Sequence, residues 1–212
     1  MKQRQMKQYL ISQFGRPHGL VGRLAGSIMA HRASNKLRNR WTVDLLGLEP
    51  SNQVLEVGSG PGIALAQIAG CLTSGRVVGL DYSKTMHDMA AKRNRQAIRD
   101  GRVSLVIGSA EELDQAIDKA LDGPFDHIFG INVVMFWKDP ISTFKMLGER
   151  LSGTGQLAFT FQPRVGSVSD EAALSGADQM VGNLRDAGFQ NIRVERLESL
   201  SPMAVCVIAR NY

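Results

Sequence analysis

The stretch Val54–Gly62, V-L-E-V-G-S-G-P-G, decides the fold of this 212-residue chain. A short β-branched run ends in an acidic residue and a glycine turn, which opens into the apolar helical stretch Ile63–Leu72. Glycine takes positive φ and lets a backbone approach a ligand closely, so strand, turn and helix aim main-chain N–H groups at a bound molecule. The dinucleotide fingerprint G-x-G-x-x-G needs its third glycine at position 63, which is Ile63. Glu56 would also repel a pyrophosphate, and it suits a ligand with a cationic amine. The turn argues against NAD.

Working outward, Arg76-Val77-Val78-Gly79-Leu80 reads as a buried strand. Asp81 closes it about 20 residues after the turn, the interval at which such folds bind ribose hydroxyls. A carboxylate there accepts from both the 2′- and 3′-hydroxyls. It equally serves as a cap for the helical stretch Lys84–Arg99, a role that Ser83 also fits. Strands are expected near 53–57, 76–80, 103–107, 125–131 and 155–161, alternating with helices near 62–72, 84–99, 111–120 and 139–151. Such alternation predicts a parallel sheet with helices on both faces. A helix near 175–187 then precedes strands near 190–197 and 203–209, too close together for a crossover and therefore antiparallel. The expected fold is α/β and doubly wound. It has a seven-stranded, mostly parallel sheet with an antiparallel C-terminal hairpin. The stretch Gln162–Gly176 reads as a mobile loop.

Four motifs in this order resemble the class I S-adenosylmethionine-dependent methyltransferases, over about Trp41 to Arg210. Val54–Gly62 resembles the family's first motif and Asp81 its second acidic strand end. Gly108-Ser109-Ala110-Glu111 resembles the adenine-contacting stretch. Phe125–Asn132 resembles the fourth strand, whose end lies beside the transferred methyl group. The resemblance implies a Rossmann-like fold and S-adenosyl-L-methionine as cofactor. It also implies a cofactor-binding set of Glu56, Gly58, Ser59, Gly60, Gly62, Asp81, Tyr82, Ser109, Ala110, Glu111 and Asn132. Amino-methylating members carry a D/N/S-P-P-aromatic motif after the fourth strand. Here Asn132-Val133-Val134-Met135 lacks the prolines, which speaks against a nucleobase or amide nitrogen as acceptor.

Charge divides the chain. Residues 1–43 hold nine Lys and Arg and no acidic residue, whereas the remainder carries sixteen basic against twenty acidic side chains. Such an arm can bind nucleic acid, an anionic membrane surface or an acidic substrate, or cover the acidic mouth of its own domain. Leu20, Val21, Leu24, Ala25, Ile28 and Met29 follow helical spacing, and a second helix is expected from Asn35 to Leu46 with Leu37, Trp41, Leu45 and Leu46 inward. The organisation read from this is one domain over 1–212, with a basic helical N-terminal lid over 1–47 and an α/β core over 48–212. No apolar run reaches the ~20 residues of a membrane span, and charged residues interrupt any signal-like core. Cys71 and Cys206 sit far apart in apolar elements, as buried thiols of a reducing cytoplasm do.

No Ser–His–Asp order and no metal-ligand spacing is present. Methyl transfer depends mainly on aligning donor and acceptor, and a base is needed only where the acceptor must lose a proton. His18 and His31 are candidate bases if the arm closes over the pocket, and Asn132 is a candidate at the strand end. His87 reads as solvated and His127 as a packing or hydrogen-bonding residue. Met135, Phe136 and Trp137 are either an acceptor wall or core. The expected activity is methyl transfer to a small, apolar or aromatic acceptor on O, N, C or S. The alternatives are an RNA or lipid methyltransferase gripping phosphate with the arm, or a binding module that keeps the cofactor site without catalysis.

Overall fold

The computed structural model describes residues 33–115, 120, 123–164 and 166–210. The stretch carrying Leu20–Met29, His18 and His31, and with it residues 1–32 of the expected lid, lies outside them. Seven strands form one sheet: β1 (Gln53–Val57), β2 (Arg76–Asp81), β3 (Val103–Ile107), β4 (Phe125–Ile131), β5 (Leu151–Phe161), β6 (Gln190–Leu197) and β7 (Ala204–Arg210). Their order is β3-β2-β1-β4-β5-β7-β6. The first five are parallel, and β7 runs antiparallel to both β5 and β6. The chain leaves β1 toward β2 and returns at β4 on the other side. A crevice opens at the carboxyl ends where the order reverses.

Both faces of the sheet are covered, which is why the central strands read as nearly unbroken apolar runs. Val54, Val77, Phe129, Ala158 and Ile208 pack under α1 (Ala33–Leu46) and α2 (Ile63–Cys71). Leu55, Val78, Leu80, Ile128, Leu157 and Phe159 face the other layer, with α5 (Pro140–Gly148) and α6 (Asp170–Asp186).

Several local expectations are corrected. The single helix 84–99 is two, α3 (Lys84–Arg93) and α4 (Arg95–Arg99), parted at Asn94. The Asn94 Nδ2 donates to the carbonyls of Ala90 (3.0 Å) and Gly62 (3.1 Å), so it breaks the helix to hold the glycine turn. The helix expected at 111–120 is a 3-10 turn, Ala110–Gln115, in its described part. Helix α6 begins at Asp170, with Ser169 as its cap (3.2 Å from Ala172 N), which shortens the expected loop to residues 162–169. The hairpin and seven-stranded topology stand as read.

Helix α1 buries Val43 and Leu46, but Leu37 is 42% exposed. Its inward positions also include Asn35, Arg38, Asn39 and Thr42. The sheet offers polar partners there: the Thr42 and Thr160 hydroxyls lie 2.7 Å apart, and Gln162 follows two residues on. Cys206 is buried, and burial pushes its thiol up to about 12. Cys71, in contrast, is exposed, because it ends α2 on the solvent side. Among the described residues no helix is long and apolar enough to cross a membrane.

Candidate functional site

The glycine turn is fastened from every side. Leu80 O accepts from Gly58 N (2.8 Å) and Ser59 N (3.1 Å), and Ser59 O accepts from Gly62 N (3.0 Å). Asp81 Oδ2 accepts from Gly60 N at 2.8 Å. On the outer side, Arg93 Nε donates to Pro61 O at 2.9 Å, beside the Asn94 contact to Gly62. Gly58, Gly60 and Gly62 all have positive φ, at 70°, 51° and 71°. Gly62 caps α2 with no side-chain hydrogen bond, and of the first-turn amides Leu65 N–H is taken by Glu56, which leaves those of Ile63 and Ala64 for a ligand. An added Cβ at Gly60 would meet no atom within 4 Å, so this corner of the turn borders open space.

Two acidic side chains converge beneath the turn. Glu56 is 3% exposed, and its Oε2 has no hydrogen-bond partner. Burial first, and then the neighbouring charge of Asp81, hold its carboxyl well above the usual range, against one Leu65 N–H. Asp81 is raised by burial too, opposed by the N–H groups of Ser83 and Gly60 and by His87. Its Oδ1 accepts from Ser83 N at 2.8 Å, while Ser83 itself caps α3. The two readings of Asp81 therefore part: the helix cap belongs to Ser83, and Asp81 joins turn and strand.

The other expected site residues are placed unevenly. Tyr82 is exposed next to Asp81. Ser59 is buried with its hydroxyl toward Gly79, where an added Cβ would come within 3.0 Å of it. Ala110 lies in the core, and Ser109 Oγ accepts from Glu111 N at 3.2 Å. Glu111 Oε1 accepts from Lys138 N at 2.6 Å, so its carboxylate ties two loops together. Asn132 has φ of 55°, which asparagine tolerates better than most residues. Its Oδ1 accepts from Gln162 N at 2.7 Å, leaving the amide N–H groups for a ligand. His87 is partly covered and lies 3.6 Å from Asp88, not fully solvated. His127 Nε2 lies 3.0 Å from Asn52 Oδ1, in the lower half of β4 and away from the crevice.

Beside Asn132 a cleft of about 170 Å³ opens between the β4 loop and α6, lined by Val133, Val134, Met135, Trp137, Phe161 and Met180 among others. Trp137 belongs to wall and core at once. It lies edge-on to Phe144 and Phe159, with ring centres 5.2 and 5.5 Å away. Met135 is exposed along the cleft, whereas Phe136 is exposed outside its lining. Sequence reasoning missed Arg93, Asn94 and Gln162, each of which acts through a partner distant in the chain.

A carboxyl with a raised folded pKa contributes its stability below its unfolded pKa and loses it as pH rises through the folded value. Without cofactor, Glu56 should therefore cost increasing stability above about pH 4.5. Glu56→Gln, which keeps an acceptor for Leu65 N, is expected to melt several degrees higher than wild type near pH 8. At ~2–4 °C per kcal/mol this is readily measured, and the gap should close by about pH 4–5. Melting curves with a pH-independent gap would show that folding leaves Glu56 ionisation unchanged.

The model of a methyltransferase domain matches residues 54–155. An uncharacterised methyltransferase of Bacillus subtilis (strain 168), YdaC, is 30% identical over 187 residues, covering 88% of this chain and 97% of its own. A SAM-dependent methyltransferase from Aquifex aeolicus superposes with a TM-score of 0.66 at 18% identity, over 88% of this chain and 97% of that one. Geranyl diphosphate C-methyltransferase from Streptomyces coelicolor A3(2) gives 0.64 at 16%, over 83% and 79%. The residues present fit the donor these relatives imply. An unpartnered carboxylate oxygen lies in a buried acidic pair beneath an open glycine corner, and S-adenosylmethionine carries an ammonium and a sulfonium. The chain belongs to the class I S-adenosylmethionine-dependent methyltransferases, and S-adenosyl-L-methionine is its cofactor.

Proposed function

We propose that the chain methylates a small, mainly apolar or aromatic acceptor seated in the cleft beside Asn132. In this reading Glu56 faces the cofactor's ammonium and Asp81 its ribose hydroxyls, with Gly58, Gly60 and Gly62 giving the backbone close approach. The sulfonium of the bound cofactor supplies an electrophilic methyl group. The protein's part is alignment and exclusion of water. Val133, Val134 and Trp137 present carbon to the acceptor, and the Asn132 amide N–H groups orient a lone pair. The observation that carries the reading is the cleft itself, about 170 Å³ and bordering the carboxyl end of β4. An engineered cavity of ~150 Å³ admits a benzene ring, so one ring or a short branched chain fits. One structural neighbour, geranyl diphosphate C-methyltransferase, is in complex with geranyl diphosphate, a molecule with an apolar chain.

The test is a screen of methyl-labelled S-adenosylmethionine against fractionated small molecules, with mass spectrometry of the product. Asn183 lines the cleft from α6. Asn183→Phe is expected to raise the acceptor KM about tenfold or more, some 1.4 kcal/mol of lost binding, with cofactor affinity unchanged. An acceptor whose KM ignores this substitution binds elsewhere.

A further inference from the structure

The cleft between the β4 loop and α6 has two unlike walls. On the β4 side Val133 lies against the glycine turn, since a Cβ added at Gly58 would come within 2.9 Å of its Cγ2. That wall belongs to the donor end, and Trp137 continues it as carbon. Helix α6 supplies the other wall through Gly176, Gln179, Met180 and Asn183. Positions spaced three, one and three residues apart share one face of a helix. The helix is held firmly behind that face, where Ala173, Ala177 and Leu184 lie in the core. A Cβ at Gly176 would stand 2.4 Å from the Phe161 ring, so α6 approaches β5 as closely as glycine permits.

A helix stripe facing an apolar cleft ordinarily carries apolar residues. Here Gln179 and Asn183 flank Met180, and at a spacing of four their carboxamides are neighbours. Among the described residues neither side chain has a hydrogen-bond partner. A carboxamide both donates and accepts, so a pair of them matches a group that does the same. A carboxylate only accepts and an ammonium only donates. Either ion would leave part of the pair unmatched, and it would lose hydration against Met180 and Phe161.

We propose that Gln179 and Asn183 determine acceptor specificity by gripping a neutral donor–acceptor head, of the carboxamide or lactam class, remote from the atom that is methylated. The inference rests on the cleft being the acceptor site. The grip touches no reacting atom. It holds the acceptor in line with the methyl group, and such remote contacts supply binding energy for alignment.

The test reads binding on the full chain saturated with S-adenosylhomocysteine. Benzamide, benzoate and benzylammonium serve as probes, one ring with a neutral, an anionic and a cationic head, and ligand-observed NMR gives their Kd values. Wild type should bind benzamide about tenfold more tightly than either ion, or better. Asn183→Asp is nearly isosteric and turns one amide into a carboxylate. It should reverse the order, with benzylammonium gaining about tenfold and benzamide losing about as much. Gln179→Glu, at an exposed position where substitution disturbs folding little, should move the order the same way and serves if Asn183→Asp fails to fold. A merely structural role would weaken all three probes together and leave their order intact. The proposal is overturned by a wild type that binds none of the probes, or binds all three within about threefold. An order that neither charged variant changes overturns it too. Asn183→Phe separates the two readings. If it blocks benzamide while the charged variants leave the order intact, the cleft stands and the amide grip falls. If benzamide ignores it, the ring sits elsewhere and the cleft reading falls as well.

Discussion

Asp81→Ala is expected to bind S-adenosylmethionine roughly 10- to 150-fold more weakly, the ~1.5–3 kcal/mol of a lost charge-assisted hydrogen bond. The loss has two sources. In the proposed reading Asp81 takes the ribose hydroxyls, and its Oδ2 also holds Gly60 N at 2.8 Å, so removing it frees one corner of the turn. The fold should survive, because the carboxylate is itself penalised by burial and Ser83 still caps α3. Asp81→Asn keeps an acceptor oxygen and should lose less. Glu56→Ala belongs to the same range through the ammonium. Titration calorimetry on the folded variants decides: affinity unchanged in both would remove the acidic pair from the cofactor site. NADH binding tighter than S-adenosylmethionine would restore the dinucleotide reading.

The second large effect separates two glycines two residues apart. At Gly62 a Cβ would stand 2.5 Å from Asn94 Nδ2 and 2.9 Å from Ala90 Cβ, on a backbone with φ of 71°. Left-handed strain of ~1–2 kcal/mol and overpacking of ~1–3 kcal/mol should combine, so Gly62→Ala is expected to lose about 2–5 kcal/mol of stability. A fall in Tm of roughly 5–20 °C would follow. At Gly60 a Cβ meets nothing within 4 Å. Gly60→Ala should therefore carry only the conformational strain and stay folded, while its methyl group occupies the ligand's side and cofactor affinity drops about tenfold or more. Melting curves and calorimetry on both variants should show opposite patterns. If Gly60→Ala binds normally, the turn serves the fold alone.

What the sequence revealed follows from which forces act locally. Strands buried on both faces are apolar along their length, and Glu56 and Asp81 stand out because carboxylates are rare at buried strand ends. The glycine turn is legible for the same reason, since its conformation demands the residue type. The start of α6 was written in Ser169, Asp170 and Glu171, a cap and two acids in the first turn, yet the polar run around them reads as loop. The break at Asn94 was not legible, because its cause lies 32 residues away at Gly62. Helix α1 misled in a different way. Apolar periodicity presumes an apolar partner, but Thr160 and Gln162 reward Thr42 and Arg38 instead of Leu37. Strand β5 begins at Leu151, four residues before its expected start, since Ser152-Gly153-Thr154-Gly155 resembles a turn in isolation. Gly155 is needed there because a Cβ would come within 2.8 Å of Phe125 O.

Arg93 and Asn94 brace the turn from behind, on the side away from its open corner. A rigid clasp of that kind grips what donor and spent donor have in common: the amino acid, the ribose and the base. Losing the methyl group changes none of those handles. S-Adenosylhomocysteine should accordingly linger in the site nearly as long as its parent. The pace of repeated turnover then depends on the ratio of the two in the surrounding fluid, and an enzyme that degrades the homocysteine nucleoside becomes an indirect governor of this one.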